Sequence, residues 1–248
     1  MPKLSNSSNL SSALTFAPTI PTPVQATLGS TASCATTKRM QETEYQATER
    51  LIALFNATFY ADFATRLVRG GDEPIYLPAN ITGQEHQIVF ARGFFASALH
   101  EIAHWCRAGS QRRQLEDYGY WYIPDGRTEA QQQAFAQVEV YPQAYEQCFT
   151  LAAGRKFNLS VDNLNGQPGQ SAAFELEVHQ LTLQLLSNSC LAASNPPSGL
   201  ADQPRLQGRA YTFFTAVCAE WNNPWQHWLE QAQQELIQRS NFLRQQLL

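Results

Sequence analysis

The segment His100-Glu101-Ile102-Ala103-His104 holds the residues whose types and spacing are best suited to chemistry. A helix advances about 100° per residue, so histidines four positions apart lie roughly 40° apart, one turn above each other on one face. Two imidazoles so placed can reach one metal ion. Glu101 stands beside them, where in a metallopeptidase it would take the proton from a metal-bound water. The flanking sequence supports the helix: Phe94 to Ala108 lacks Pro and Gly, is rich in Ala, places Arg107 in its last turn and runs into Gly109, an expected C-terminal glycine.

Two histidines leave a catalytic ion short, because such sites usually take three protein ligands and keep a position open for water or substrate. No further histidine follows His104 at motif spacing, and His86, His179 and His227 stand in polar or amphipathic contexts. A carboxylate is therefore expected. Glu116, Asp117, Asp125, Glu129, Glu139 and Glu146 are the local candidates, and Glu139 stands out between Val138 and Val140. Burying a carboxylate in an apolar run is costly unless something compensates it, and a cation does. Pro142, three residues on, biases Tyr141 away from helix, which leaves open whether Glu139 sits on a helix or beside a break.

The elements that must position these residues follow from periodicity. Between Glu44 and Phe63 the apolar residues Leu51, Ile52, Leu54, Phe55 and Phe59 recur at helical spacing, and Gly70-Gly71-Asp72 reads as a turn. Ile75 to Leu77, Ile88 to Phe90 and Tyr118 to Ile123 read as short buried strands. The Gln-rich stretch from Thr128 reads as a helix interrupted or restarted at Pro142. Asn195 to Gly199 reads as a loop, and Ala210 to Ala219 and Trp225 to Leu248 as helices. These predict an α+β fold, a single domain over residues 44–248, preceded by a Ser/Thr/Pro-rich arm over 1–43 that reads as disordered.

The 248 residues are 44% apolar and 11% aromatic, enough for one ordinary core. A net charge of -4 argues against a broad basic surface for nucleic acid. Nothing approaches the roughly 18 uninterrupted apolar residues of a membrane span. Five widely spaced cysteines, with no C-x-x-C pair, favour a reducing compartment, so a cytoplasmic protein is expected.

Around the same residues the sequence resembles the bacterial elongation factor P hydroxylase family. The matching segments are Asp72 to Ala79, Ile88 to Ala91, Ser97 to Ile102 with His104-Trp105-Cys106, Gly119 to Tyr122, Pro124 to Arg127, Val138-Glu139-Val140 with Pro142-Gln143-Ala144, and Asp162-Asn163-Leu164. The resemblance covers roughly residues 48 to 190 well and implies a metallopeptidase-like α+β fold. It further implies His100, His104 and Glu139 as metal ligands and an oxygen-dependent hydroxylation of the modified lysine of elongation factor P. A two-histidine, one-carboxylate face suits iron(II) with molecular oxygen as co-substrate, and it suits zinc equally. With iron, Glu101 becomes a group that orients a ligand or water; with zinc, the chain would be a metallopeptidase with Glu101 as general base.

A long cationic side chain on an acidic protein calls for aromatic walls, a carboxylate for the ammonium, and basic anchors outside. Tyr118, Tyr120, Trp121 and Tyr122 with Asp117 and Asp125 are expected to supply the first two, and Arg107, Arg112 and Arg113 the third. The expected partner is elongation factor P alone, met by a monomer, with neither nucleic acid nor membrane involved.

Overall fold

The computed structural model describes residues 42–117, 129–160, 168–194 and 203–248. Helix α1 (Glu44–Phe63) starts on a capping box: Gln46 N–H donates to Thr43 Oγ1 at 3.2 Å, and Thr43 N–H donates back to Gln46 Oε1 at 3.0 Å. Its inner face carries Leu51, Phe55 and Phe59, all buried. The helix ends at Ala64, which takes a left-handed φ of 45° and turns the chain into strand β1 (Thr65–Arg69). Asn56 Oδ1 accepts from Leu67 N–H at 2.9 Å and ties the strand back to the helix.

Strand β2 (Ile75–Leu77), the single-turn helix α2 (Ala79–Thr82) and strand β3 (His86–Phe90) follow, and the three strands form one sheet in the order β1-β3-β2. The central β3 pairs parallel with β1 and antiparallel with β2. Gly70 makes the close exit from β1 possible: a Cβ there would lie 2.3 Å from Val89 Cγ1, so a larger residue would have to displace the Val89 side chain.

The remaining described elements are helical: α3 (Phe95–Arg107), a 3-10 turn at Arg112–Gln114, α4 (Glu129–Ala152), α5 (Pro168–Ser194), α6 (Arg209–Glu220), a further 3-10 turn at Trp225–His227, and α7 (Leu229–Gln246). The fold is α+β, with helices around a small sheet, as expected. None of the described helices is long and apolar enough to cross a membrane.

One core joins the elements. Trp105 of α3 packs against Phe55, Phe59 and Phe63 of α1 with ring centroids 5.2, 4.9 and 5.4 Å apart, and Phe149 of α4 meets Phe213 of α6 at 5.0 Å. Edge-on pairs of this kind contribute about 0.5–1.5 kcal/mol each beyond their buried area.

Several expectations need correction. Pro142 does not interrupt its helix: α4 runs through it, because a proline removes one helical hydrogen bond and the packing of Ala144, Tyr145, Cys148 and Phe149 outweighs that loss. The helix carrying the histidines ends at Arg107 without a left-handed glycine, since Ala108 leaves it in extended geometry (φ -62°, ψ 127°). The C-terminal helical stretch begins as a 3-10 turn and becomes α-helix only at Leu229. Strand β1 and helix α5 were not anticipated. The predicted strand at Tyr118 to Ile123 and the loop at Asn195 to Gly199 lie outside the described residues.

Candidate metal centre

Helix α3 holds the two histidines and is itself held at both ends by other elements. At its start, Glu44 Oε1 on α1 accepts from Phe95 N–H at 2.9 Å, and Arg155 braces that carboxylate at 2.7 Å. A carboxylate there complements the positive end of the helix dipole. At its end, one nitrogen of Arg209, Nη2, donates to the carbonyls of Trp105, Cys106 and Ala108 at 2.9, 3.2 and 2.6 Å. Arg113 Nη1 donates to Ala108 O at 2.7 Å. Two guanidiniums thus take the role the sequence assigned to a glycine cap.

With the helix fixed, Ala98, Leu99, Ile102, Ala103 and Trp105 point into the core, and His100, Glu101 and His104 lie along the half-buried flank. His100 Nε2 and His104 Nε2 approach to 3.0 Å. Glu139 reaches them from α4, with Oε2 3.6 Å from His100 Nε2 and Oε1 3.4 Å from His104 Nε2. Donors each about 2.1 Å from a common ion stand about 3.0 Å apart at a right angle and about 3.4 Å at a tetrahedral one. The observed separations cover that interval to within a few tenths of an ångström. Among the described residues, His100, His104 and Glu139 form a group whose donor atoms all lie within 4.8 Å of one another. Among the described carboxylates of that set, Glu139 is therefore the one brought to both histidines.

Glu146 plays a different part. Seven residues after Glu139 on the same helix, it is 5% exposed and takes the other ring nitrogen of His100, with Nδ1 to Oε2 at 2.9 Å. A proton on Nδ1 leaves Nε2 as the lone pair facing Glu139 and His104, the tautomer a ligand needs. Burial opposes a charge on His100, but the hydrogen bond and charge of Glu146, with Glu101 and Glu139, outweigh it and push the imidazolium up to about 10. The carboxylates of Glu139 and Glu146 against the ring favour positive charge there, and a divalent cation would take the place of a proton. Burial also raises the Glu101 carboxyl, against the pull of both histidines and with the help of Glu139 and Glu146.

Replacing Glu146 by Gln removes the charge and not the shape. Metal affinity, read by competition with a coloured chelator, is expected to fall about 10- to 100-fold. An unchanged affinity would mean that Glu146 does not tune His100.

Beside the ligands opens a cleft lined by Tyr76, Ile88, Glu101, His104, Trp105, Ala108, Arg112, Arg113 and Asp117. Three of the residues expected to bind substrate, Asp117, Arg112 and Arg113, thus stand in the same cleft as the site. Arg113 is turned inward, with its guanidinium over Phe63 and Trp105 at 5.7 and 6.0 Å. Arg107 lies over the Tyr141 ring at 4.0 Å. Tyr118, Tyr120, Trp121, Tyr122 and Asp125 lie outside the described residues. The other histidines have separate duties: His86 Nδ1 accepts from Ala79 N–H at 3.1 Å, and His179 sits between Gln147 and Glu175 at 3.1 and 3.3 Å.

Sequence reasoning missed Tyr76 as a cleft wall and Arg209 as a clamp. It considered Glu146 only as a ligand, although its seven-residue spacing from Glu139 was a legible sign of a shared helix face.

The fold and the site together define an α+β protein with a candidate metal centre of two histidines and one carboxylate. A profile of the elongation factor P hydroxylase family matches residues 54–232, and the chain belongs to that family. It is similar to a Haemophilus influenzae protein, elongation factor P lysine hydroxylase, with 56% identity over 132 residues, 53% of this chain and 74% of that protein.

Proposed function

We propose that the chain hydroxylates the modified lysine of elongation factor P, in the cytoplasm, using iron(II) bound by His100, His104 and Glu139 within a domain spanning residues 44–248. The observation that carries the reading is the convergence of those three side chains in a chain of this family. Iron(II) there supplies the redox chemistry: one atom of O2 enters a C–H bond, the other leaves as water, and two electrons from a reductant outside the chain with two protons complete the balance. The chain's own groups do the rest. Glu146 holds the His100 ring in its ligating orientation. Glu101, in the cleft beside His104, orients water or substrate at the open face. Tyr76 and Asp117 offer the incoming side chain an aromatic wall and a carboxylate. Trp105 and Ile88 give the cleft apolar wall. By sequence, Tyr120, Tyr122 and Asp125 are further candidates for the substrate side chain, and Arg112 and Arg113 for the acidic partner.

The test is incubation of the iron-loaded protein with lysine-modified elongation factor P and isotopically labelled oxygen gas. One added oxygen carrying the label is expected by mass spectrometry. No addition under aerobic, reducing conditions defeats the reading.

The His-Glu-x-x-His segment keeps zinc peptidase chemistry as a second reading, and Glu101 separates the two. A peptidase loses nearly all turnover in Glu101→Gln, since its proton acceptor is gone. A hydroxylase is expected to keep a measurable part, because the reaction needs no base at that position. Turnover in the Gln variant that vanishes without oxygen supports hydroxylation, whereas oxygen-independent peptide cleavage by the parent protein supports the alternative.

A further inference from the structure

Arg113 lines the cleft and is fixed from several sides. Its N–H donates to Gly109 O at 3.2 Å, its carbonyl accepts from the Tyr76 hydroxyl at 2.9 Å, and Nη1 donates to Ala108 O at 2.7 Å. The α3 carbonyls thus use Nη1 and leave the rest of the guanidinium unspent. Among the described residues, no carboxylate forms an ion pair with Arg113, and its Nε and Nη2 meet no acceptor. Both nitrogens are open to solvent, since neither is sealed in the core without a partner. Together they form one edge of the guanidinium, two parallel N–H donors spaced for the two oxygens of a carboxylate.

The charges around the cleft fall into two groups. Those that act on Glu101 are His100, His104, Glu139 and Glu146, so that carboxyl belongs with the candidate metal ligands. Asp117 is engaged by Arg112 at 2.6 Å. Arg113 has Arg209 for company instead. Burial pushes the Tyr76 hydroxyl up to about 12 while both guanidiniums pull the other way, and burial together with Arg113 lowers the proton affinity of Arg209. Two cations that repel each other leave positive potential where Arg113 meets the cleft. A guanidinium already held in place gains more from an anion than a mobile one does, because little ordering cost remains.

We propose that Arg113 is a carboxylate seat: the cleft admits, beside the candidate metal ligands, a ligand whose carboxylate spans Nε and Nη2 of Arg113. A small organic acid and an acidic side chain of a partner protein carry the same group, and experiment separates them. The seat stands apart from the hydroxylase reading, because it needs neither metal nor turnover. Arg113 is then a binding residue as well as a cap on α3, and an occupant without an anionic group leaves it unspent.

The probe is succinate, added to the purified full chain while arginines are labelled with phenylglyoxal and mapped by peptide mass spectrometry. At about 10 mM, above the millimolar affinity of one solvent-facing ion pair, succinate is expected to slow labelling of Arg113 about fivefold. Succinamide, of similar shape without charge, is expected to leave the rate unchanged. Exposed Arg92 serves as the internal control and keeps its rate. By calorimetry, Arg113→Gln is expected to bind succinate about tenfold more weakly, and Arg113→Lys, with the charge but not the fork, to recover only part. If a variant fails to fold, the labelling of the parent protein decides alone. No protection of Arg113, equal protection by succinamide, or equal slowing at Arg92 overturns the proposal. Elongation factor P identifies the source. Succinate that weakens its binding to the parent but not to Arg113→Gln assigns the seat to a side chain of that partner, whereas protection of Arg113 with partner binding unaffected assigns it to a small acid.

Discussion

Replacing Glu139 by Ala is expected to leave the purified protein without its metal and without activity. Glu139 is 3% exposed and faces both histidines within 3.6 Å, so its removal takes away one of three converging donors and the negative charge that accompanies them. Loss of a group that only orients a ligand costs roughly 10- to 100-fold in metal affinity. Loss of a ligand itself is expected to exceed that range. Metal content by elemental analysis, beside that of the parent protein prepared identically, reads the effect. Circular dichroism of both separates ligand loss from unfolding. Unchanged metal in the variant would mean that the third ligand is another carboxylate, and Glu146, which already touches His100, would be the next to replace.

Replacing Arg209 by Ala is expected to destabilise the protein strongly. Its Nη2 serves three carbonyls at the end of α3, and its guanidinium packs on Trp105 at 4.6 Å and on Phe63 at 5.4 Å. Burial and the neighbouring Arg113 lower its affinity for a proton, yet a guanidinium remains charged at any ordinary pH. Hydrogen bonds from a charged donor contribute about 1.5–3 kcal/mol, and interaction with the helix dipole about 0.3–1 kcal/mol. The expected cost is therefore about 2–4 kcal/mol, read as a shift of the urea midpoint. Arg209→Lys is expected to recover only part, because an ammonium lacks the planar fork and the stacking surface. Since Trp105 follows His104 directly, the Ala variant should also bind metal more weakly than the parent. A stability within about 0.5 kcal/mol of the parent, the range of an ordinary surface change, would show that α3 does not depend on this clamp.

How much of this was legible depended on how local the signal was. Helix α1 and the helix carrying the histidines could be read because their apolar residues repeat at the helical period. Strand Ile75–Leu77 and the last three residues of strand His86–Phe90 were visible as short apolar runs bounded by Pro, Asn and Gly. Strand β1 was not: five residues directly after a helix, two of them arginines, carry too little alternation, and pairing with β3 decides their conformation. Helix α5 escaped because it packs against both α4 and α7, so its apolar residues do not gather on one face. Pro142 was over-read, since a local preference for breaking the helix gave way to tertiary packing.

The site divides along the same line. The pair His100 and His104 could be read from spacing alone, because four positions make about one helical turn wherever the helix sits. It marked Glu139 as unusual by its two valine neighbours, and the family resemblance named it. Long-range packing is what brings Glu139 to both histidines, sets Glu146, 46 positions from His100, against the His100 ring, and places Arg209, 104 positions from Trp105, at the end of the helix that carries them. Those relations depend on how α4 and α6 pack against α3. Packing is set by the whole core, and no spacing within one segment encodes it.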